Sequence, residues 1–171
     1  MAEAGTAYSG TAKTFHWTVA ALVLLMLYGG YTMTKETVGT HAGIGIVILI
    51  LMLARLAWRS RTAMPELVAG MPRWQQIAAK ATHHGLLALI TLQPIFGLTM
   101  AASSKYNLKP FGLFGLQIGQ NDAIHELAEV LHNTNAVIIA VLFALHTLAA
   151  LYHHVVKRDA TLKRMIPFAK A

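Results

Sequence analysis

Long uncharged stretches broken by short polar segments set the pattern of this chain. Between Lys13 and Lys35 lie 21 residues without a charge, between Glu36 and Arg55 lie 18, between Lys80 and Lys105 lie 24, and between Glu129 and Lys157 lie 27. An α-helix needs about 20 residues to cross a hydrocarbon core about 30 Å thick, so the pattern predicts transmembrane helices at about 14–34, 39–58, 82–102 and 130–156. The uncharged stretch Pro110 to Asn121 has 12 residues and is glycine-rich, too short to cross. The first apolar run lacks a small-residue cleavage site at its end and is long enough to span, so it reads as a helix rather than a cleaved leader. The expected fold is all-α, a single integral membrane four-helix bundle over residues 1–171.

Composition agrees. Hydrophobic residues make up 56% of the chain and charged residues 12%, about half the charge of a soluble domain; mean hydropathy is +0.52. The net charge of +7 would in a soluble protein suggest nucleic acid. Here topology explains it. With an even number of spans both termini share a side, and that side holds Lys13, Arg55, Arg59, Arg61, Arg73, Lys80, Lys157, Arg158, Lys163, Arg164 and Lys170. The other side holds only Lys35, Lys105 and Lys109. Cationic loops stay in the cytoplasm, so both termini are expected there and no nucleic-acid partner is needed. Trp17, Trp58, Trp74, Tyr31, Tyr106 and Tyr152 fall where interfacial aromatic belts are expected.

Nine histidines are present, most of them inside or at the ends of the predicted spans. An ionisable side chain in a membrane is costly and marks function by default. His125, His132, His146 and His153 are separated by 7, 14 and 7 residues, which at 3.6 residues per turn puts them on nearly one helix face. His132 and His146 are then about 21 Å apart along the axis, one toward each leaflet. Depth pairs His146 with His16 at the start of the first helix, and His132 with His41 at the start of the second. His83 lies near the His16 level and is a rival for that pairing. Gly30 and Gly97 lie 14 residues after His16 and His83, Gly43 and Gly45 flank His41, and Gly29 adjoins Gly30; all are positions where a flat macrocycle can find room.

Two histidine pairs at two depths point to two bis-imidazole haems, whereas zinc asks for three or four ligands at one depth. The cysteine count is zero, so haem attachment is non-covalent and no iron–sulfur cluster is available. Bis-histidine iron has no vacant position and relays electrons. Arg55, 14 residues after His41, is a candidate partner for a haem propionate or a headgroup anchor. The aromatics and glycines of 103–122 suggest a cap over the outer haem, where Lys105 and Lys109 can steer a small anion toward the haem edge; the plainer reading of the segment is a solvated loop. The chain contains no Ser/His/Asp triad, P-loop or GxGxxG, so hydrolysis and nucleotide chemistry are unsupported.

The chain resembles the bacterial cytochrome b561 family from about Thr14 to Pro167. The anchors are FHW at 15–17, HAGIGI at 41–46, RLAWR at 55–59, HGLL at 84–87, QPIFGL at 93–98 and LFGL at 113–116. HELAEVLHN at 125–133, LHTLAALYHH at 145–154 and KRDATLKRMIP at 157–167 complete them. The resemblance implies a di-haem b cytochrome of the bacterial inner membrane with ligands His16, His41, His132 and His146. It further implies, by likeness to one branch, superoxide:ubiquinone oxidoreduction, with superoxide or another donor outside and ubiquinone reduced near the cytoplasmic face. His153 then falls at the quinone site, with His83 beside it. A basic residue expected in the loop between helices 2 and 3 meets Gly70, leaving Arg73 and Lys80 as substitutes. Two alternatives carry the same histidines: the membrane cytochrome b subunit of a larger hydrogenase or dehydrogenase, and a haem-free metal or proton carrier.

Overall fold

The computed structural model describes residues 7–63, 65, 68 and 70–167. It contains four long helices: α1 (Gly10–Tyr31), α2 (Val38–Arg59), α3 (Arg73–Ala102) and α4 (Asp122–Tyr152). Each carries an apolar stretch long enough to cross a membrane. A 3₁₀ turn, Pro110–Gly112, interrupts the α3–α4 connection, and a π-helical turn, His153–Lys157, extends α4. Among the described residues there is no strand.

The helices start earlier than the uncharged stretches: α3 at Arg73 rather than 82, and α4 at Asp122 rather than 130. Absence of charge marks what hydrocarbon tolerates, but a helix needs only its i→i−4 bonds and continues into water. Local caps set the true starts. Ser9 Oγ accepts the Ala12 N–H at 3.2 Å, and Asn121 Oδ1 accepts the Ile124 N–H at 3.1 Å, each satisfying a donor that the first turn leaves free. Asp122 in the first turn of α4 adds charge that suits the positive end of the helix dipole.

A seven-residue ladder organises the interior. It runs His16–Val23–Gly30 on α1, His41–Ile48–Arg55 on α2, His83–Ile90–Gly97 on α3 and His132–Ile139–His146 on α4. Its middle rungs, Val23, Ile48, Ile90 and Ile139, are all buried, and with Val19 and Met52 they form one apolar core. Seven residues are two turns less 20°, so each rung stays on the inner face while moving about 10 Å in depth. The core therefore sits as an apolar plug between two layers of histidine.

The outer surface is apolar as well. Leu24, Ile50, Leu53, Val137, Val141 and Leu148 are each more than half exposed. In water such surface would cost about 25 cal/mol per Å²; against lipid tails it costs nothing, which makes this a multi-pass membrane protein. Backbone packing is most extensive between α3 and α4, then α2 and α3, then α1 and α2. No comparable packing joins α4 to α1 or α2. Along that open side the histidine rings face each other.

Candidate functional site

At one end of the bundle, His41 on α2 faces His132 on α4, ring centroids 6.2 Å apart and planes at 67°. At the other end, His16 on α1 faces His146 on α4 at 6.1 Å and 62°. Imidazole nitrogens each about 2 Å from one metal set their ring centroids about 6 Å apart, so both pairs can hold an iron between them. Both pairs also bridge the two helix combinations that the backbone leaves apart. The His83 and His146 ring centroids are 5.2 Å apart, shorter than the separation of two rings on opposite sides of one metal. Of the two rings near His146, that of His16 has the wider separation, equal to that of the His41–His132 pair to within 0.1 Å. Among the described residues no three His, Asp or Glu side chains form a metal-binding group.

The second ring nitrogen of one of the four histidines supports the same fit. A metal-ligating histidine usually donates its second ring N–H to a neighbour, which fixes its orientation. His132 Nδ1–H donates to the Gln93 carbonyl at 3.1 Å, which frees Nε2. Gln93 is itself fixed: its Nε2 donates to the His132 carbonyl at 3.0 Å, and its Oε1 accepts from Asn135 Nδ2 at 2.7 Å. Asn135, 5% exposed, also donates to the Leu89 carbonyl at 3.0 Å. Neither Gln93 nor Asn135 figured among the sequence-based site residues. Their signal was available, since an amide in an apolar span is nearly as conspicuous as a charge. His41 differs, because its Nδ1 is buried without a partner among the described residues.

Two glycines open the space beside these rings. A Cβ on Gly97 would lie 3.1 Å from His132 Cε1, and one on Gly30 would lie 3.6 Å from His41 Cε1. Gly29 borders open space. Gly43 does something else: a Cβ there would overlap the ring of Phe111. Phe111 holds φ 49° and ψ 19°, a left-handed conformation that costs a non-glycine residue about 1 kcal/mol or more. The segment around it is pinned, with Leu116 N–H donating to Leu108 O at 2.9 Å and Ile118 N–H to Ala102 O at 2.9 Å. His125 joins the same end, its Nδ1–H donating to the Met100 carbonyl at 2.8 Å. Phe111 thus caps the bundle two residues from His41.

Arg55 is half-buried near His16 and His83. No acidic side chain pairs with it among the described residues, so its guanidinium is available to an anionic group such as a propionate. Arg59 Nη2 donates to His84 Nε2 at 3.2 Å, tying α2 to α3. His153 lies at the start of the π-turn, and its Nδ1–H donates to Asp159 Oδ2 at 2.5 Å. Burial pushes the Asp159 carboxyl up, but hydrogen bonds from His153 and Thr161 bring it net below its ordinary value. Arg73 and Lys80 are exposed on the first turns of α3 and make no hydrogen bond to His153. Gly70 has φ +77°, a backbone that disfavours the lysine expected there. Lys105 stacks over Tyr106 at 5.2 Å and shares a cavity with Asp122, His125 and Glu126. Lys109 is exposed, its carbonyl against Gly39. Lys170 lies outside the described residues.

A family model described as prokaryotic cytochrome b561 matches residues 7–168. Cytochrome b561 homolog 1 of Escherichia coli (strain K12) is 33% identical over 144 residues, 82% of this chain and 78% of that protein. Cytochrome b561 homolog 2 of the same organism is 28% identical over 170 residues, 93% of this chain and 90% of that protein. A probable superoxide oxidase of Yersinia pestis is 32% identical over 130 residues, 74% of this chain and 73% of that protein. The resemblance carried by the histidine motifs and the match over almost the whole chain agree: this protein belongs to the prokaryotic cytochrome b561 family, haem-binding helical bundles of membrane electron transfer.

Proposed function

We propose that the chain is a single transmembrane domain over residues 1–171 that carries electrons from a superoxide donor outside the bacterial inner membrane to ubiquinone at the cytoplasmic face. His41 and His132 hold the outer b haem, and His16 and His146 hold the inner one, with Arg55 on an inner propionate. Both termini lie in the cytoplasm. When bound, the two haems supply one-electron carriage between the faces of the membrane. The observation that carries the reading is the pair of histidine couples at 6.2 and 6.1 Å, one at each end of the bundle. The likeness to a probable superoxide oxidase supports the donor.

The chain's own residues divide the work. Gln93 orients His132, glycines 30 and 97 leave room beside the outer pair, and Phe111 seats its ring on that end at Gly43. The buried plug of Val23, Ile48, Ile90 and Ile139 keeps water and protons from crossing between the layers. Two superoxide ions, one ubiquinone and two protons become two dioxygen molecules and one ubiquinol, and His153 stands where those protons enter.

Haem counting tests the ligand set. The purified protein is expected to hold two b haems per chain by pyridine haemochrome, all extractable because there is no cysteine. His41→Ala and His132→Ala should remove the outer haem and His16→Ala and His146→Ala the inner one, each leaving about half the haem content, with each ligand's loss felt at one site only. One haem in the wild type, or loss of the inner haem with His83→Ala but not His16→Ala, overturns the assignment. Superoxide-driven ubiquinol formation by the isolated chain separates it from a subunit that needs a larger complex.

A further inference from the structure

The α4 helix does not simply stop after the inner histidine layer. It widens into the π-turn His153–Lys157 and reverses at Arg158, which holds φ 55° and ψ 31°. The Arg158 and Asp159 N–H groups both donate to the His153 carbonyl, the latter at 3.2 Å. That reversal brings Asp159 back onto His153. In a continued α-helix a residue six positions on would sit about 240° around the axis, pointing away. Here Asp159 Oδ2 accepts from His153 Nδ1–H, and its other oxygen accepts the Thr161 N–H at 2.8 Å. The carboxylate is thus locked by the backbone that follows it. His153 Nε2 has no hydrogen-bond partner among the described residues. Short π-helical insertions recur at functional sites because they turn side chains out of helical register.

We propose that Asp159 is a positioning residue for quinone reduction: it holds His153 with its proton on Nδ1 and so leaves Nε2 to serve as the proton-transfer atom toward a quinone oxygen. This rests on the assignment of His153 to the quinone site. The neutral ring takes a proton from water at Nε2, and Asp159 stabilises the resulting cation. Nε2–H then gives that proton to the quinone oxygen, and the ring returns to the same Nδ1–H form. Two such transfers, with two electrons supplied one at a time by the external one-electron donor, convert quinone to quinol. A histidine with both nitrogens free would divide its neutral form between two tautomers, only one of them aimed correctly.

The test uses the haem-loaded protein in detergent, ¹⁵N-labelled at histidine, with soluble ubiquinone-1 as acceptor. At pH 8 the neutral His153 ring should show a protonated Nδ1 and an unprotonated Nε2. Asp159→Asn should lose that preference and slow haem reoxidation by ubiquinone-1 about tenfold or more, the usual cost of removing such a supporting partner. Haem content should stay at the wild-type level. Asp159→Glu, which keeps the carboxylate, should restore most of the rate. A dominant Nε2–H tautomer in the wild type, or wild-type reoxidation in Asp159→Asn, overturns the proposal. His153→Ala separates the two readings. If it slows reoxidation while Asp159→Asn does not, only the role of Asp159 falls; if it leaves reoxidation unchanged, the quinone-site assignment falls too.

Discussion

Between two imidazoles that we propose share one iron, the residues that matter most are those that make room. Gly97 is the tightest such position, because a methyl group there would press on His132 Cε1 at 3.1 Å and Nδ1 at 3.2 Å. His132 cannot yield freely: its Nδ1–H is held by the Gln93 carbonyl, and Gln93 by Asn135. A branched side chain would therefore break that hydrogen bond or tilt the ring. Gly97→Val is expected to lower haem content from two toward one per chain, the residual spectrum matching that of His132→Ala. Crowding a packed site typically costs about 1–3 kcal/mol, roughly a 5- to 150-fold loss of affinity. Gly85→Val serves as the comparison on the same helix, since a Cβ there meets only the flexible Leu142 Cδ1 at an ordinary 3.7 Å; it should keep both haems. Haem titration into the apoprotein checks both variants.

At the scale of elements, the connection between α3 and α4 is mostly exposed, yet it is pinned at both ends by backbone hydrogen bonds and seats one ring on the bundle. Its apex depends on one missing side chain. Gly43→Ala puts a methyl group into the space of the Phe111 ring, and the residue before Phe111, Pro110, is buried. The cap must lift, releasing the amides of Leu116 and Ile118 from Leu108 and Ala102. Hydrogen exchange should show protection lost across 108–118 and retained in α2; unchanged protection would mean that Phe111 finds another seat. The sequence offered a cap over 103–122 from its aromatics and glycines, beside the plainer solvated loop, but not the seat of Phe111 on Gly43, which needs a left-handed residue that no pattern announces. Nor was the return of Asp159 onto His153 legible, because it needs a π-turn and a left-handed Arg158 that no periodicity announces. The histidine layers were legible for the opposite reason. Spacings of 7 and 14 keep residues on one helix face whatever the neighbours do, so His132, His146 and the glycines were placed by arithmetic. The buried rungs Val23, Ile48, Ile90 and Ile139 followed the same spacing and were passed over because apolar residues do not stand out in an apolar span.

Across the whole molecule the charge is divided unequally. The His41 end carries Lys35, Lys105 and Lys109 against Glu36, Asp122, Glu126 and Glu129. The His16 end holds nearly all the arginines and lysines. In the orientation we propose, an anion arriving from outside meets a face close to neutral, so no broad field draws it in. Any steering must be local, and the two lysines of the cap are not equivalent. Lys105 shares its cavity with Asp122 and Glu126, whose charges offset its own. Lys109 immediately precedes the Pro110–Gly112 turn that carries the Phe111 cap, with no ion pair among the described residues. Superoxide-driven haem reduction should therefore fall further in Lys109→Glu than in Lys105→Glu, both retaining two haems. The effect is one of encounter rate, where local charge is worth about tenfold or more. It should be largest near 0.01 M salt, where the screening length is about 30 Å, and shrink toward 0.15 M, where it is about 8 Å. Stopped-flow reduction at the two ionic strengths decides it. Wild-type rates in both variants at low salt would remove the lysines from the donor path and leave the cap's apolar contacts as the guide to the outer pair, while an equal loss in both would overturn the distinction between them.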